Sequence, residues 1–361
     1  MPRLVFLRAL LVLPISFFCG CSGDPAIERG EVRSAAELID LQLTRAEIDS
    51  MLPDLEEQSG WFGEMREISV GNDVRPALVF DPVPRRRGAK KGEDILAVSP
   101  ASRAAPTADM EDLAFWPVRD LAELLRTRKI TSVELTRMYL GRLRKYGPEL
   151  ECVITLTEDR AIRLARRADE ELARGIRRGP LHGVPWGAKD LLAVEGYPTT
   201  WGAAPYKNQV IDHDATVVQR LDDAGAVLVA KLSLGALAWG DVWFGGTTKN
   251  PWNLEQGSSG SSAGPAAATA AGLVGFSIGS ETWGSIVSPS TRCGVSGLRP
   301  TFGRVSRAGA MALSWSMDKL GPMCRTVEDC AVVFDAISGP DGLDPTVVDR
   351  PLTWARDMDL K

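Results

Sequence analysis

The chain has 361 residues, 44% hydrophobic and 25% charged, with a formal charge of −5. This is globular composition with material for one large core or two smaller ones, and its negative balance excludes a nucleic-acid partner held by bulk electrostatics. Only two histidines occur, His182 and His213, and the six cysteines include no CxxC pair, so the usual metal-site spacing is missing.

Met1–Gly20 carries Arg3 and Arg8, then the apolar run Ala9–Cys19 and small residues, the pattern of a secretory signal and too short to span a membrane. Phe18-Cys19-Gly20-Cys21 resembles a bacterial lipobox, which makes Cys21 the lipidated first mature residue and a membrane attachment point; ordinary cleavage nearby is the alternative. The expected localisation is therefore the cell envelope. Residues 21–112 read as an N-terminal extension and linker. Within them Ala35–Glu64 has helical periodicity with a break expected at Pro53, and the prolines of Asp73–Pro84 exclude helix. Arg85–Lys91 is a basic run inside a Pro/Gly/Ala/Ser-rich stretch, read as a solvated linker rather than a lipid-headgroup patch.

From Leu113 the pattern becomes regular. Asp120–Arg126 is helical, and Thr131-Ser132-Val133-Glu134 fits a capping box that opens a helix to about Tyr146. Thr157 is placed to cap a third helix that Gly175 ends, and Asp214 to cap the helix Ala215–Asp223. Ala226–Ala230 is a short buried strand. This alternation continues to Ile337 and predicts an α/β fold, a mixed β-sheet core covered by helices on both faces. Sequence leaves open whether Cys152, Cys293, Cys324 and Cys330 are thiols or disulfides, and it does not give the oligomeric state.

The stretch from Asn250 to Gly303 organises the rest. A Gly/Ser-rich segment, Gly257–Gly264, precedes the apolar run Leu273–Ile278 and a second tight turn, Gly279–Ser285. Two glycine bends flanking regular pieces bring backbone N–H groups and serine hydroxyls to one point, which suits a developing negative charge and not a flexible linker. Gly260-Ser261-Ser262-Ala263-Gly264 matches the GxSxG elbow of α/β-hydrolases, but that chemistry needs a histidine after the serine, both histidines precede it, and the segment before the motif, Asn253–Ser259, reads as no strand. Ser316-Met317-Asp318-Lys319 matches SxxK without its companion motifs. No Walker motif, GxGxxG or HExxH occurs, so no cofactor and no metal are expected. A serine nucleophile here would need a lysine as base.

Lys189 in GVPWGAKD, the GSSGSSAG segment, and GSETWGSI followed by CGVSGLRPTFGRVS resemble the amidase signature family, over about Leu113 to Pro345 and in the family's order. The resemblance implies a Ser–Ser–Lys triad acting on a carboxamide C–N bond through an acyl-enzyme. It puts the base on Lys189, the nucleophile on Ser285, and the bridging serine, held by a cis peptide, on Ser261. Ser262 is the neighbour most easily confused with the bridge, and the N–H groups of Thr282, Trp283 and Gly284 would form the oxyanion hole. This chain departs from the family at Trp283, usually glycine, and Val287, usually arginine. Ser259, Ala263 and Pro265 replace Gly, Gly and Ser. The family also continues well past the point where this sequence stops, which implies an incomplete 113–361 domain. A small-molecule amide is the implied substrate. A glutaminase subunit of a tRNA-dependent amidotransferase is the alternative inside the family, and a non-catalytic envelope binding protein or an inactive fragment the alternative outside it. Trp186, Trp201, Trp239, Trp243, Trp252 and Trp283 gather around the motif blocks, as core or as walls of a pocket for an aromatic or apolar substrate.

Overall fold

The computed structural model describes residues 27–71, 74, 94–103 and 105–355. The leader, Cys21, the basic run and the proline-rich arm apart from Val74 lie outside them. The chain divides into two compact units between Gly71 and Asn72.

The first unit contains helices α1 (Arg29–Leu38) and α2 (Arg45–Arg66). Pro53 lies inside an unbroken α2, against expectation; the break falls earlier, between Ile39 and Thr44. Thr44 and Glu47 form a capping box that starts α2 firmly, and the single ladder bond a proline removes does not end so long a helix.

The second unit starts before Leu113. Strand β1 (Ile95–Ala97) pairs in parallel with β12 (Thr353–Ala355), Ser99 donates to Glu328 from its N–H (3.0 Å), and the Ser102 N–H donates to Asp120 at 2.8 Å. Helices α3 (Val118–Arg126) and α4 (Ser132–Leu150) follow, the latter opened by the expected Thr131–Glu134 box and running past Tyr146. Next come β2 (Val153–Leu156), α5 (Glu158–Ala173), β3 (Pro185–Lys189), α6 (Thr216–Asp223) and β4 (Val227–Leu232). Two small ribbons, β5 (Val242–Trp243) with β6 (Gly246–Thr247) and β7 (Lys249–Asn250) with β8 (Asn253–Gly257), lead into the Gly/Ser segment. Asn253–Gly257 is thus a strand against expectation, but one that pairs antiparallel with β7 outside the main sheet and so does not supply the core strand of an elbow. Helix α7 (Ala263–Ala270), β9 (Phe276–Glu281), α8 (Val287–Cys293), β10 (Ser296–Gly297), β11 (Lys319–Cys324) and α9 (Val327–Ile337) complete the body.

Six strands form one mixed sheet in the order β10-β11-β9-β3-β4-β2. β3 runs parallel to both neighbours, β4 and β9, while β2 and β11 are antiparallel to theirs. Helices cover both faces, as the alternation predicted. Along β4, Val227 and Val229 join the cluster that holds Leu140, Leu143 and Ala165, whereas Leu228 joins the one that holds Leu121, Val217 and Ile337. This is the two-residue period of a strand buried on both sides. The same period governs β3. Trp186 and Ala188 belong to the second of those clusters, so Lys189 emerges on the opposite face, at the strand's C-terminal end.

Two expected caps have other tasks. The Thr157 hydroxyl donates to the Leu228 carbonyl at 2.8 Å instead of capping α5, and Asp214 binds Arg160 and the Glu195 N–H while Ala215 stands at the N-cap of α6. Gly175 does end α5's last turn, at a φ of 78°. Cys152, Cys293, Cys324 and Cys330 are free and buried.

Candidate active site

The site forms where the end of β3 meets the Gly/Ser segment and the turn after β9. Lys189 is fully buried, and its ammonium nitrogen lies 2.8 Å from Ser261 Oγ, 3.1 Å from Ser262 Oγ, 2.9 Å from Ser280 Oγ and 3.4 Å from the Ser280 carbonyl. Among the described residues no carboxylate touches it. The neighbouring Asp190 turns away and pairs with buried Lys231 at 2.7 Å. Burial among neutral groups therefore dominates and brings Lys189 down to about 7, against smaller opposing pulls from Asp318 and Glu281.

The Gly260–Ser261 peptide is cis, as the resemblance implies. Gly260 is required by contact: a Cβ there would lie 1.7 Å from the Gly240 carbonyl oxygen. Ser261 and Ser262 differ in what their protons do. Ser262 Oγ donates to the Ser280 carbonyl at 3.0 Å and accepts from the Ser280 N–H at 3.1 Å, so it fastens the segment to β9. Ser261 has no such commitment, and its hydroxyl is the one available to exchange a proton with Lys189. The Ser262 N–H donates to the Ser285 carbonyl at 3.0 Å, which brings the residue implied as nucleophile against this cluster. Ser285 is 9% exposed.

The turn Glu281–Ser285 is pinned from three sides. The Thr282 hydroxyl donates to Asp318, and Lys319 Nζ donates to the Thr282 carbonyl at 3.0 Å. Lys319 is thus a structural charge committed to this turn. Glu281 is buried inside the turn and accepts from the N–H groups of Ile286 at 2.8 Å and Val287 at 3.0 Å, with Arg299 at 3.1 Å. Burial would raise its carboxyl, but these N–H groups, that of Gly284 and Arg299 hold it below its ordinary value. Of the three N–H groups expected to stabilise an oxyanion, that of Gly284 faces Glu281. Gly284 has a φ of 97°, which favours glycine, whereas Trp283 beside it is 81% exposed and fills no core.

Ser280, Glu281 and Asp318 are the contributors that sequence reading missed. Ser280 and Glu281 lie inside the GSETWGSI block, so the block marked the place without marking their roles. Asp318 is brought in by β11, far along the chain. Neither histidine takes part in the triad cluster: His182 is buried beside Glu171 and Arg178, and His213 stands at an exposed rim. Among the described residues no group of acidic, histidine or cysteine side chains has metal-binding geometry.

A cavity of about 600 Å³ opens beside Ser280 and Asp318, with Trp201, Met311, Trp315 and Leu320 among its walls.

The profile of one protein family, described as Amidase, matches residues 134–360. Among curated proteins, a glutamyl-tRNA(Gln) amidotransferase subunit from Methylococcus capsulatus is 44% identical over 236 residues, 64% of this chain and 48% of that one. Its namesake from Moorella thermoacetica is 42% identical over 67% of this chain and 50% of its own. Among solved structures, the native peptide amidase from Stenotrophomonas maltophilia superposes with a TM-score of 0.63 and 38% identity, over 67% of this chain and 51% of that one. A glutamyl-tRNA(Gln) amidotransferase subunit from Thermotoga maritima gives 0.59 and 30%, over 70% and 52%. The chain thus spans about half the length of the relatives it matches.

Proposed function

Because the chain belongs to the amidase family, we propose that it hydrolyses a carboxamide C–N bond, with Ser285 as nucleophile, Ser261 as proton relay and Lys189 as base. The observation that carries this reading is a fully buried lysine whose nitrogen, among the described residues, contacts hydroxyls and one carbonyl, 2.8 Å from Ser261 Oγ. At a value of about 7, roughly half the molecules hold Lys189 neutral at neutral pH. Its lone pair takes the Ser261 proton, Ser261 takes that of Ser285, and Ser285 Oγ bonds to the carbonyl carbon. With the Gly284 N–H turned to Glu281, the N–H groups of Thr282 and Trp283 are left to meet the resulting oxyanion. The proton returns along the relay to the amide nitrogen, the C–N bond breaks, and water entering by the same route releases the acid. A fluorophosphonate should label Ser285 in wild type and fail to label Ser285→Ala; labelling that survives Ser285→Ala but is lost in Ser262→Ala would move the nucleophile to the elbow serine.

The leader adds that the enzyme acts in the cell envelope, anchored through Cys21. Mass spectrometry of the cellular protein should find a lipidated Cys21 terminus, and an intact Met1 terminus would remove this part of the reading. A second reading, a glutaminase subunit, draws on the curated relatives, whose names are those of an amidotransferase component. An export leader weighs against it, because it directs a chain away from the compartment of tRNA charging.

A further inference from the structure

We propose that the substrate accepted here carries an uncharged, apolar acyl group, aromatic or branched aliphatic, seated in the cavity beside Ser280. This rests on the amide-hydrolase reading above and names its substrate class.

Position comes first. Ser280 lines the cavity and its hydroxyl lies 2.9 Å from Lys189 Nζ. Asp318 lines it too and accepts from the Thr282 hydroxyl. The cavity is therefore one contact away from both the proposed base and the oxyanion turn, a place for the group attached to a reacting carbonyl.

Its walls are mostly carbon: Trp201, Ile211, Met311, Trp315, Leu320 and Leu343 surround the short-side-chain run Ala308–Ala312. The charged side chains among them already have partners, inside the lining or just behind it. Arg307 uses all three guanidinium nitrogens, Nε on Asp344 at 3.0 Å, Nη1 on the Trp315 carbonyl at 2.6 Å and Nη2 on Thr346 Oγ1 at 3.1 Å. Asp214 pairs with Arg160 at 2.7 Å. Asp318 accepts the N–H groups of Leu313 at 2.7 Å and Ser314 at 3.0 Å besides the Thr282 hydroxyl. His213 stands at the rim, beside Asp212.

Glutamine brings an α-ammonium and an α-carboxylate. To seat it, the cavity would have to leave those charges unpaired or take a partner from one of these pairs, and either is strongly unfavourable. An apolar acyl group loses nothing and gains by burial, roughly fourfold in kcat/KM for each methylene removed from water.

The test uses the full chain and primary amides, which share ammonia as leaving group. Ammonia release is measured for acetamide, isovaleramide and phenylacetamide against succinamate and L-glutamine, and binding of phenylacetamide and L-glutamine to Ser285→Ala is measured by calorimetry. Phenylacetamide should exceed L-glutamine by about 100-fold in kcat/KM. It should bind Ser285→Ala where glutamine does not. Ala310→Phe, which fills the cavity, should lower the phenylacetamide-to-acetamide ratio of kcat/KM at least about tenfold. Preference for glutamine or succinamate, binding of neither compound, or a ratio that Ala310→Phe leaves unchanged overturns the proposal. If phenylacetamide binds Ser285→Ala and Ala310→Phe weakens that binding, yet no amide is cleaved by wild type, the cavity assignment stands and the hydrolase reading falls.

Discussion

Burial without a countercharge suits Lys189 to the base role proposed for it, and that role has a consequence in pH dependence. Activity should rise with pH through about 7 as the ammonium loses its proton, then level off; a rate that falls over that range would remove Lys189 from the base role. The two carboxylates that oppose this shift, Asp318 and Glu281, are held by N–H groups and, for Glu281, by Arg299, while Lys319 stands beside Asp318. Neutralising one should therefore lower Lys189 further. Asp318→Asn should move the rising limb to lower pH, even though it also loosens the Thr282 contact and lowers the maximal rate. Lys189→Ala should lose most activity, on the order of 10³-fold, because triad members act as a unit. Ser262→Ala should cost less, since its bonds to Ser280 position and do not react. At this scale the meeting of Lys189 with Ser261, and the approach of Ser285 to them, were legible from three short motif blocks. Glu281 was not, because its partners are the N–H groups of residues that follow it round a turn, and only the fold shows which way that turn closes.

Elements reveal where local rules yield to tertiary ones. Thr131 caps α4 because Glu134 stands three residues on and no competitor approaches. Thr157 and Asp214 occupy equally good cap positions but find nearer partners, a strand carbonyl and an arginine, and the helices start without them. A mixed sheet between helices could be read from periodicity; these side-chain choices could not, since the competing partners lie 19, 54 and 71 residues away. Helix α7 makes the tightest test of packing. Its residues Ala263–Thr269 are all buried, and a Cβ on Gly264 would lie 2.5 Å from the Ser233 N and 2.7 Å from the Cys152 carbonyl oxygen. Gly264→Ala should destabilise the protein by about 2–3 kcal/mol and displace the Ser261–Ser262 pair just before it. Urea unfolding measures the first effect. An unchanged midpoint would mean that α7 can shift on the sheet.

For the whole molecule, the chemistry of the site bears on folding itself. The four thiols make no cross-link, and burial pushes Cys152 and Cys293 up to about 12, so a thiol reagent should meet them only in unfolded protein and reductant should leave the melting temperature unchanged. Lys189 acts in the opposite sense to such inert burial. Unfolding restores its proton affinity, so between about 7 and the ordinary lysine value near 10.5 the unfolded chain binds more protons than the native one. Stability contributed through this residue must then increase as pH rises across that interval, and below it the native state carries a deficit on the order of 5 kcal/mol at most. Lys189→Met should consequently yield a dead protein that melts higher than wild type at pH 7, with the gap narrowing toward pH 10. A lysine kept neutral by burial withholds part of the folding free energy, and the substitution that removes its charge should release it.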